Sequence, residues 1–308
     1  EKYVDHIGDT FGMGDNQKPG YPGHQEIELA LIKLYGVTKD KKHLDLATYF
    51  INQRGSQPHY FDIERDARGE SPEAFSQTTY EYNQSHVPVR EQDKVVGHAV
   101  RAMYMYAAMA DLASELSDDS LKSACETLWR DITETRMYIT GGFGPSESNE
   151  GFTTDYDLPN DTAYAETCAS VAMVFWAQRM LNIDLDSQYA DILELALYNN
   201  SLAGLSRDGE HYFYDNKLDS DGTHSRWSWH HCPCCTMNAS RLIASVAGYF
   251  YSTSDESLAI HLYGTGEAGV SVGANSVTIK QVSDYPWSGQ VSVEVLLEKP
   301  IKFDLKLR

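Results

Sequence analysis

The chain has 308 residues, 42% of them apolar and 23% charged, with a formal net charge of -20. That length can bury one large core, or one domain plus a smaller one. The acidic balance argues against a nucleic-acid partner, whose backbone would be repelled, and no apolar run approaches the roughly 18 residues a membrane helix needs.

The chain begins at Glu1 without a Met or a charged-then-apolar leader, and Arg308 falls inside a run that still alternates, so both ends read as cut and the chain as a piece of something longer. From residue 22 to about 252 the apolar period is helical. Residues 23–36 carry apolar side chains at helical spacing and stop at Gly36, and a second helix over 44–51 follows the turn at 38–42. Further helices are predicted over 92–116, 120–136, 162–182, 187–203 and 236–252, with Gly, Pro and Asn gathered in the loops between them. Helices of this length joined by short turns pack as antiparallel neighbours, and about seven of them make much of an α/α toroid. From Ser257 the period changes to two, and 259–263, 269–272, 276–279, 291–295 and 301–305 read as strands. The expected fold is therefore mainly α with a β region. A helical-barrel domain over 1–254, lacking its N-terminal part, would lead into an incomplete β-sandwich over 255–308.

The chemistry starts at Cys232-Pro233-Cys234-Cys235, which holds three of the five cysteines. Cys168 lies upstream in Glu166-Thr167-Cys168, and Cys125, in a helical stretch, reads as a core thiol. Soft thiolates clustered near a carboxylate are what zinc selects, so Glu166, Cys168, Cys234 and Cys235 form a candidate tetrahedral set. Adjacent cysteines share one ion only where the backbone bends, and Pro233 before the pair suits a loop entering a helix. Glu166 and Cys168, two apart, would face opposite sides of a regular helix. Residues 165–168 are therefore predicted to form a turn, a distorted helix start or an extended segment. The residues leave other readings open: a strained vicinal disulfide, plain buried thiols, a purely structural zinc, or His230 and His231 as alternative ligands. Reduced thiols lean towards the cytoplasm, while oligomeric state and true localisation are unreadable.

Glu150 sits in the loop Asn149-Glu150-Gly151-Phe152, where a carboxyl beside glycine can approach a ligand closely. It can serve as the acid of sugar hydrolysis or be a solvated surface group. The tyrosine-rich composition, 20 Tyr beside 10 Phe and 5 Trp, suits sugar faces but equally a helical core. Gly141-Gly142-Phe143-Gly144 is no dinucleotide fingerprint, because its spacing is wrong and no βαβ unit surrounds it.

Four stretches in order carry a resemblance: Gly97-His98-Ala99-Val100-Arg101-Ala102-Met103, Met137 to Gly142, Tyr156 to Ser170, and the Cys234-Cys235 pair. From about residue 20 to its end the chain resembles glycoside hydrolase family 127, whose characterised members are β-L-arabinofuranosidases. The resemblance implies an (α/α)6-type barrel followed by β-sandwich domains, and a carbohydrate substrate of the L-arabinofuranoside type. It implies Zn2+ held by Glu166, Cys168, Cys234 and Cys235, with Cys234 as nucleophile of a retaining reaction and Glu150 as acid/base. Sugar-contacting positions would fall on His24, His59, His98 and Tyr214. The chain departs from the family pattern at Thr236-Met237, where Pro-Pro is common, and at Lys217, where Pro is common. Two other classes compete. A noncatalytic carbohydrate-binding or scaffold protein would keep a structural zinc but need no Glu150. A hydrolase using metal-bound water would need an open coordination position, which four protein ligands do not leave.

Overall fold

The computed structural model describes residues 1–71 and 79–308. Its helices are α1 (Lys2–Thr10), α2 (Ile27–Thr38), α3 (Lys41–Gln53), α4 (Tyr60–Arg68), α5 (Ala99–Leu116), α6 (Asp119–Thr135), α7 (Thr167–Ile183), α8 (Ser187–Ala196) and α9 (Cys234–Ser245). Aspartates start three of them: Asp40, Asp118 and Asp186 accept hydrogen bonds from backbone N–H groups of the first turns of α3, α6 and α8. Each such cap contributes about 1 kcal/mol.

The pairs α2/α3, α5/α6 and α7/α8 pack together in sequence, as short connections dictate, and α5 packs along α7. α5 and α7 are the inner helices. Met103, Tyr106 and Met109 on one, and Met173, Trp176 and Met180 on the other, are fully buried. A helix apolar all round is stable only inside a core. Trp176 fixes this centre, with Tyr106 and Trp129 each 5.0 Å away between ring centroids.

The helix starts differ from the periodic reading where the chain turns toward the site. The helix expected from residue 92 begins at Ala99, because Gly97 is left-handed (φ 70°) and His98 extended. The one expected from residue 162 begins at Thr167, after a left-handed Ala165 (φ 39°) and an extended Glu166 (ψ 135°). The stretch 187–203 divides into α8 and a π-helical turn over Leu197–Leu202. α9 starts at Cys234 itself and ends at Ser245, well short of 252. α1 and α4 were not expected. α4 nevertheless carries legible signals: Asp62 in its first turn, Arg65 and Arg68 in its last, and Gly69 as a left-handed stop.

Six strands follow: β1 (Tyr251–Thr253), β2 (Ser257–Ile260), β3 (Gly266–Val272), β4 (Asn275–Ser283), β5 (Val291–Leu297) and β6 (Asp304–Leu307). They form two three-stranded sheets. β3, β4 and β5 make an antiparallel meander, while β2 pairs antiparallel with β1 and parallel with β6. Leu258 of the first sheet and Val272, Val277 and Ile279 of the second share one small core. β1 lies ahead of the boundary expected at 254/255. Among the described residues no helix is long and apolar enough to cross a membrane.

Candidate active site

Three helix starts meet at one cavity of about 800 Å³: His98 precedes α5, Glu166 precedes α7, and Cys234 opens α9. Helix N-termini carry unpaired N–H groups and the positive end of the dipole, so they favour carboxylates and thiolates.

The ligand atoms of Glu166, Cys168, Cys234 and Cys235 all lie within 4.8 Å of one another. Cys168 Sγ is 3.2 Å from Cys235 Sγ, and Cys234 Sγ is 3.9 Å from Cys235 Sγ. Glu166 Oε1 stands 3.6 and 3.7 Å from the sulfurs of Cys234 and Cys235. A tetrahedron of sulfurs about 2.3 Å from a zinc ion has edges of about 3.8 Å, so the spacing suits one ion. The five cysteines are free thiols. Cys168 and Cys234 both line the cavity, but Cys168, like Cys235, is buried, while Cys234 is half-buried. Hydrogen bonds from Cys168 and Cys235 pull the Cys234 thiol far below its ordinary range. The Cys168 thiol is pushed up by donating to Cys234 and Cys235, and burial pushes up that of Cys235. Burial also drives the Glu166 carboxyl upward, and the charge on Cys234 adds to this. Glu166 Oε2 is buried with no hydrogen-bond partner. A buried carboxylate beside a thiolate, with an orphaned oxygen, is an anionic nest that a divalent cation would complete. The donor set fits a metal.

The 165–168 segment is a helix start, as the two-residue spacing requires. Ala165 adopts the left-handed conformation, which costs a non-glycine residue about 1–2 kcal/mol. Its carbonyl accepts from Asn216 Nδ2 at 2.9 Å, and the same amide reaches Thr167 Oγ1 at 2.9 Å. The Thr167 N–H donates to the Tyr214 carbonyl at 2.9 Å. The Tyr214-Asp215-Asn216 run therefore pins the turn that aims Glu166 and Cys168 at one point. Tyr214 also places its hydroxyl 3.5 Å from Cys234 Sγ.

Glu150 lines the same cavity. His98 Nε2 lies 3.1 Å from its Oε2, and the Tyr164 hydroxyl donates to Oε1 at 2.8 Å. The hydrogen bond from His98, followed by that from Tyr164, holds the Glu150 carboxyl below its ordinary range against the opposing effect of burial. The loop is tied to α5 by its backbone, for the Ala99 N–H donates to the Glu150 carbonyl at 3.0 Å and the Phe152 N–H to that of Gly97 at 2.9 Å.

Comparisons with known proteins place the chain in a family. The family model described as the β-L-arabinofuranosidase GH127 catalytic domain matches residues 1–248. The chain belongs to the GH127 β-L-arabinofuranosidase family. It is 38% identical, over 327 aligned positions, to a non-reducing end β-L-arabinofuranosidase of Bifidobacterium longum subsp. longum, covering 100% of this chain and 49% of that protein. Ara127N-Se, a GH127 β-L-arabinofuranosidase from Geobacillus stearothermophilus T6, superposes with a TM-score of 0.96 at 50% identity, over 100% of this chain and 50% of that one. The GH127 β-arabinofuranosidase BT3674 superposes at 0.91 and 39% identity, over 100% and 45%. This GH127 chain thus spans about half the length of these relatives.

Of the expected sugar-contacting residues, His24, His98 and Tyr214 line the cavity. The His24 ring nitrogen Nδ1 is 2.8 Å from the Gln25 carbonyl, so it carries the proton and leaves Nε2 as an acceptor. Burial lowers the pKa of His24 and so favours that neutral form. His59 is not among the lining residues. Its ring is buried, caps α4 and hydrogen-bonds Ser85 Oγ at 2.9 Å and the Tyr21 hydroxyl at 3.3 Å. The short Pro58-His59-Tyr60 motif forms the start of α4. His230 and His231 line the mouth outside the four-residue cluster, and His230 lies against the Tyr214 ring with centroids 4.4 Å apart. Sequence reasoning missed Tyr164, which holds Glu150, and Asn238, whose Nδ2 is 3.1 Å from Cys168 Sγ. Both stand in segments already singled out: Tyr164 two before Glu166, and Asn238 one helical turn after Cys234.

Proposed function

We propose that the protein is a retaining glycosidase that releases L-arabinofuranose from β-linked arabinosides, with Cys234 as nucleophile, Glu150 as acid/base, and Zn2+ held by Glu166, Cys168, Cys234 and Cys235. The helices belong, on this reading, to an (α/α)6-type barrel within residues 1–254, followed by part of a β-sandwich. One observation carries the assignment: of three clustered thiols, Cys234 is the one half-exposed to the cavity that Glu150 also lines. The activities of the GH127 relatives support the substrate class.

The zinc ion, when bound, supplies the positive charge that keeps the ligand sulfurs deprotonated at neutral pH. The Cys234 thiolate attacks the anomeric carbon, the bond to the leaving oxygen breaks, and Glu150 gives that oxygen its proton. The sugar is then joined to Cys234 through a carbon–sulfur bond. Glu150, now a carboxylate, takes a proton from water as the water oxygen displaces the sulfur. His24 offers its free Nε2 to the sugar hydroxyls, while His98 commits its Nε2 to Glu150. A noncatalytic scaffold has no use for a carboxylate held by His98 and Tyr164 beside a thiol cluster.

The test is hydrolysis of p-nitrophenyl L-arabinofuranosides of both anomers, combined with mass spectrometry after a cyclophellitol-type or haloacetamide sugar. Expected are turnover of the β anomer, a covalent sugar on Cys234, and loss of turnover in Cys234→Ser. Near-normal activity in that variant would remove Cys234 from the nucleophile role.

A further inference from the structure

α9 brings more than two sulfurs to the cluster. Asn238 follows Cys234 by four residues and Cys235 by three, so all three share a helix face. Its Nδ2 lies 3.1 Å from the sulfur of Cys168, which belongs to α7. Chemistry fixes the orientation of the amide. Asn238 Oδ1 accepts from an Arg241 guanidinium nitrogen at 2.8 Å and from the Tyr104 hydroxyl at 2.8 Å. Arginine has no acceptor atom, so the oxygen must face it and the NH2 must face the sulfur. Arg241 is itself held by Glu26 at 2.8 Å, contacts the Tyr104 hydroxyl, and lies 5.0 Å over the Phe175 ring. Tyr104 is buried in α5.

We propose that Asn238 is a positioning residue for the metal centre: anchored by Arg241 and Tyr104, it fixes the Cys168 sulfur as a permanent ligand. The inference rests on the metal reading of the proposed function. Were Cys234 to bond to the sugar, holding the ion would fall to the buried ligands Glu166, Cys168 and Cys235. Cys168 approaches from α7 and Cys235 from α9, and the N–H···S bond ties these two helices across the cluster. Removing an outer hydrogen-bond partner of a metal ligand typically lowers metal affinity about 10- to 100-fold.

Two variants of the full chain test it. Asn238→Asp keeps an oxygen for Arg241 and Tyr104 but presents no N–H to Cys168, while Asn238→Ala removes both. Zinc affinity is measured by competition with a chromogenic chelator, and the sulfur-to-cobalt charge-transfer band is recorded after replacement by Co2+. Both variants should bind zinc about 10- to 100-fold more weakly, and the band should shift in both. A role confined to packing would leave the Asn238→Asp band where it is. Asn238→Asp with unchanged affinity and an unchanged band would overturn this inference alone. An unsubstituted chain that takes up no metal would overturn the metal reading and this inference with it.

Discussion

Gly151→Ala isolates the placement of the acid from every other property of the site. A Cβ at Gly151 would stand 1.8 Å from the Gly97 carbonyl oxygen, 2.6 Å from its carbon and 2.9 Å from His98 Cα. The obstacle is backbone, and it is pinned: the Phe152 N–H donates to that same oxygen, and the Ala99 N–H donates to Glu150. Gly97 cannot retreat either, because its far side packs where a Cβ would meet the Glu81 carbonyl at 2.0 Å. Relief therefore demands that the loop carrying Glu150 move away from the segment carrying His98 by about 1 Å, a misplacement that costs about 100-fold in rate. The overpacking itself costs about 1–3 kcal/mol of stability. The assay is kcat/KM on p-nitrophenyl β-L-arabinofuranoside, with metal content and thermal unfolding measured alongside. Metal content should stay at the unsubstituted level, since all four ligands lie on other segments. Gly36→Ala, in α2 with nothing within 4 Å of the added carbon, is the control and should keep full activity. A Gly151→Ala protein within threefold of unsubstituted activity would refute the reasoning.

Three further outcomes are expected. A general acid works only while protonated, so the rate falls as pH rises through the Glu150 pKa. The His98 hydrogen bond lowers that pKa and sets this alkaline limb toward acid. His98→Ala should move the limb to higher pH in a kcat/KM profile, and a limb that stays or moves down contradicts the assignment. Glu150→Gln should slow glycosides with poor leaving groups far more than activated aryl ones, because only the former need the proton; equal losses would point to a binding role. Trp176→Ala, which empties the centre between Tyr106 and Trp129, should cost about 3–5 kcal/mol in denaturant unfolding, and a loss below 1 kcal/mol would mean the core had collapsed around it.

Much of this was legible in the sequence because it depends on period and residue type. α5, α7 and the strands β2 to β6 announce themselves by apolar spacing, and the cluster by three soft thiolates close to a carboxylate. What the period hides is the backbone that precedes each helix. Val95 is buried and carries the apolar rhythm, yet it lies in the loop that delivers His98. The helix expected from residue 162 fails at Ala165 because the Asn216 amide outweighs local propensity, a contact between residues distant in the chain. His59 shows a role its short motif did not announce: its imidazole caps α4. Tyr164 and Asn238 gave no separate signal, since a phenol or an amide has meaning only when its partner is known.

The vicinal cysteines acquire a physical explanation from the helix they open. Successive residues of an α-helix point about 100° apart. Cys234 and Cys235 at the first turn of α9 can therefore both reach the cluster while differing in what lies behind them. Cys235 backs onto the core and Cys234 onto the cavity. On the proposed function, one arrangement would supply a buried sulfur that stays on the ion and a half-buried sulfur that can leave it, both at a helix N-terminus. A single cysteine could not do both tasks, and a Cys-x-x-Cys knuckle would turn both sulfurs to the same side. Cys235→Ser and Cys234→Ser should accordingly differ in kind. The first should lower zinc affinity, because it weakens the core-side grip on the ion. The second should retain most of its zinc through Glu166, Cys168 and Cys235 and yet form no sugar adduct. Equal zinc loss in both variants, measured by chelator competition on the purified chain, would contradict this division.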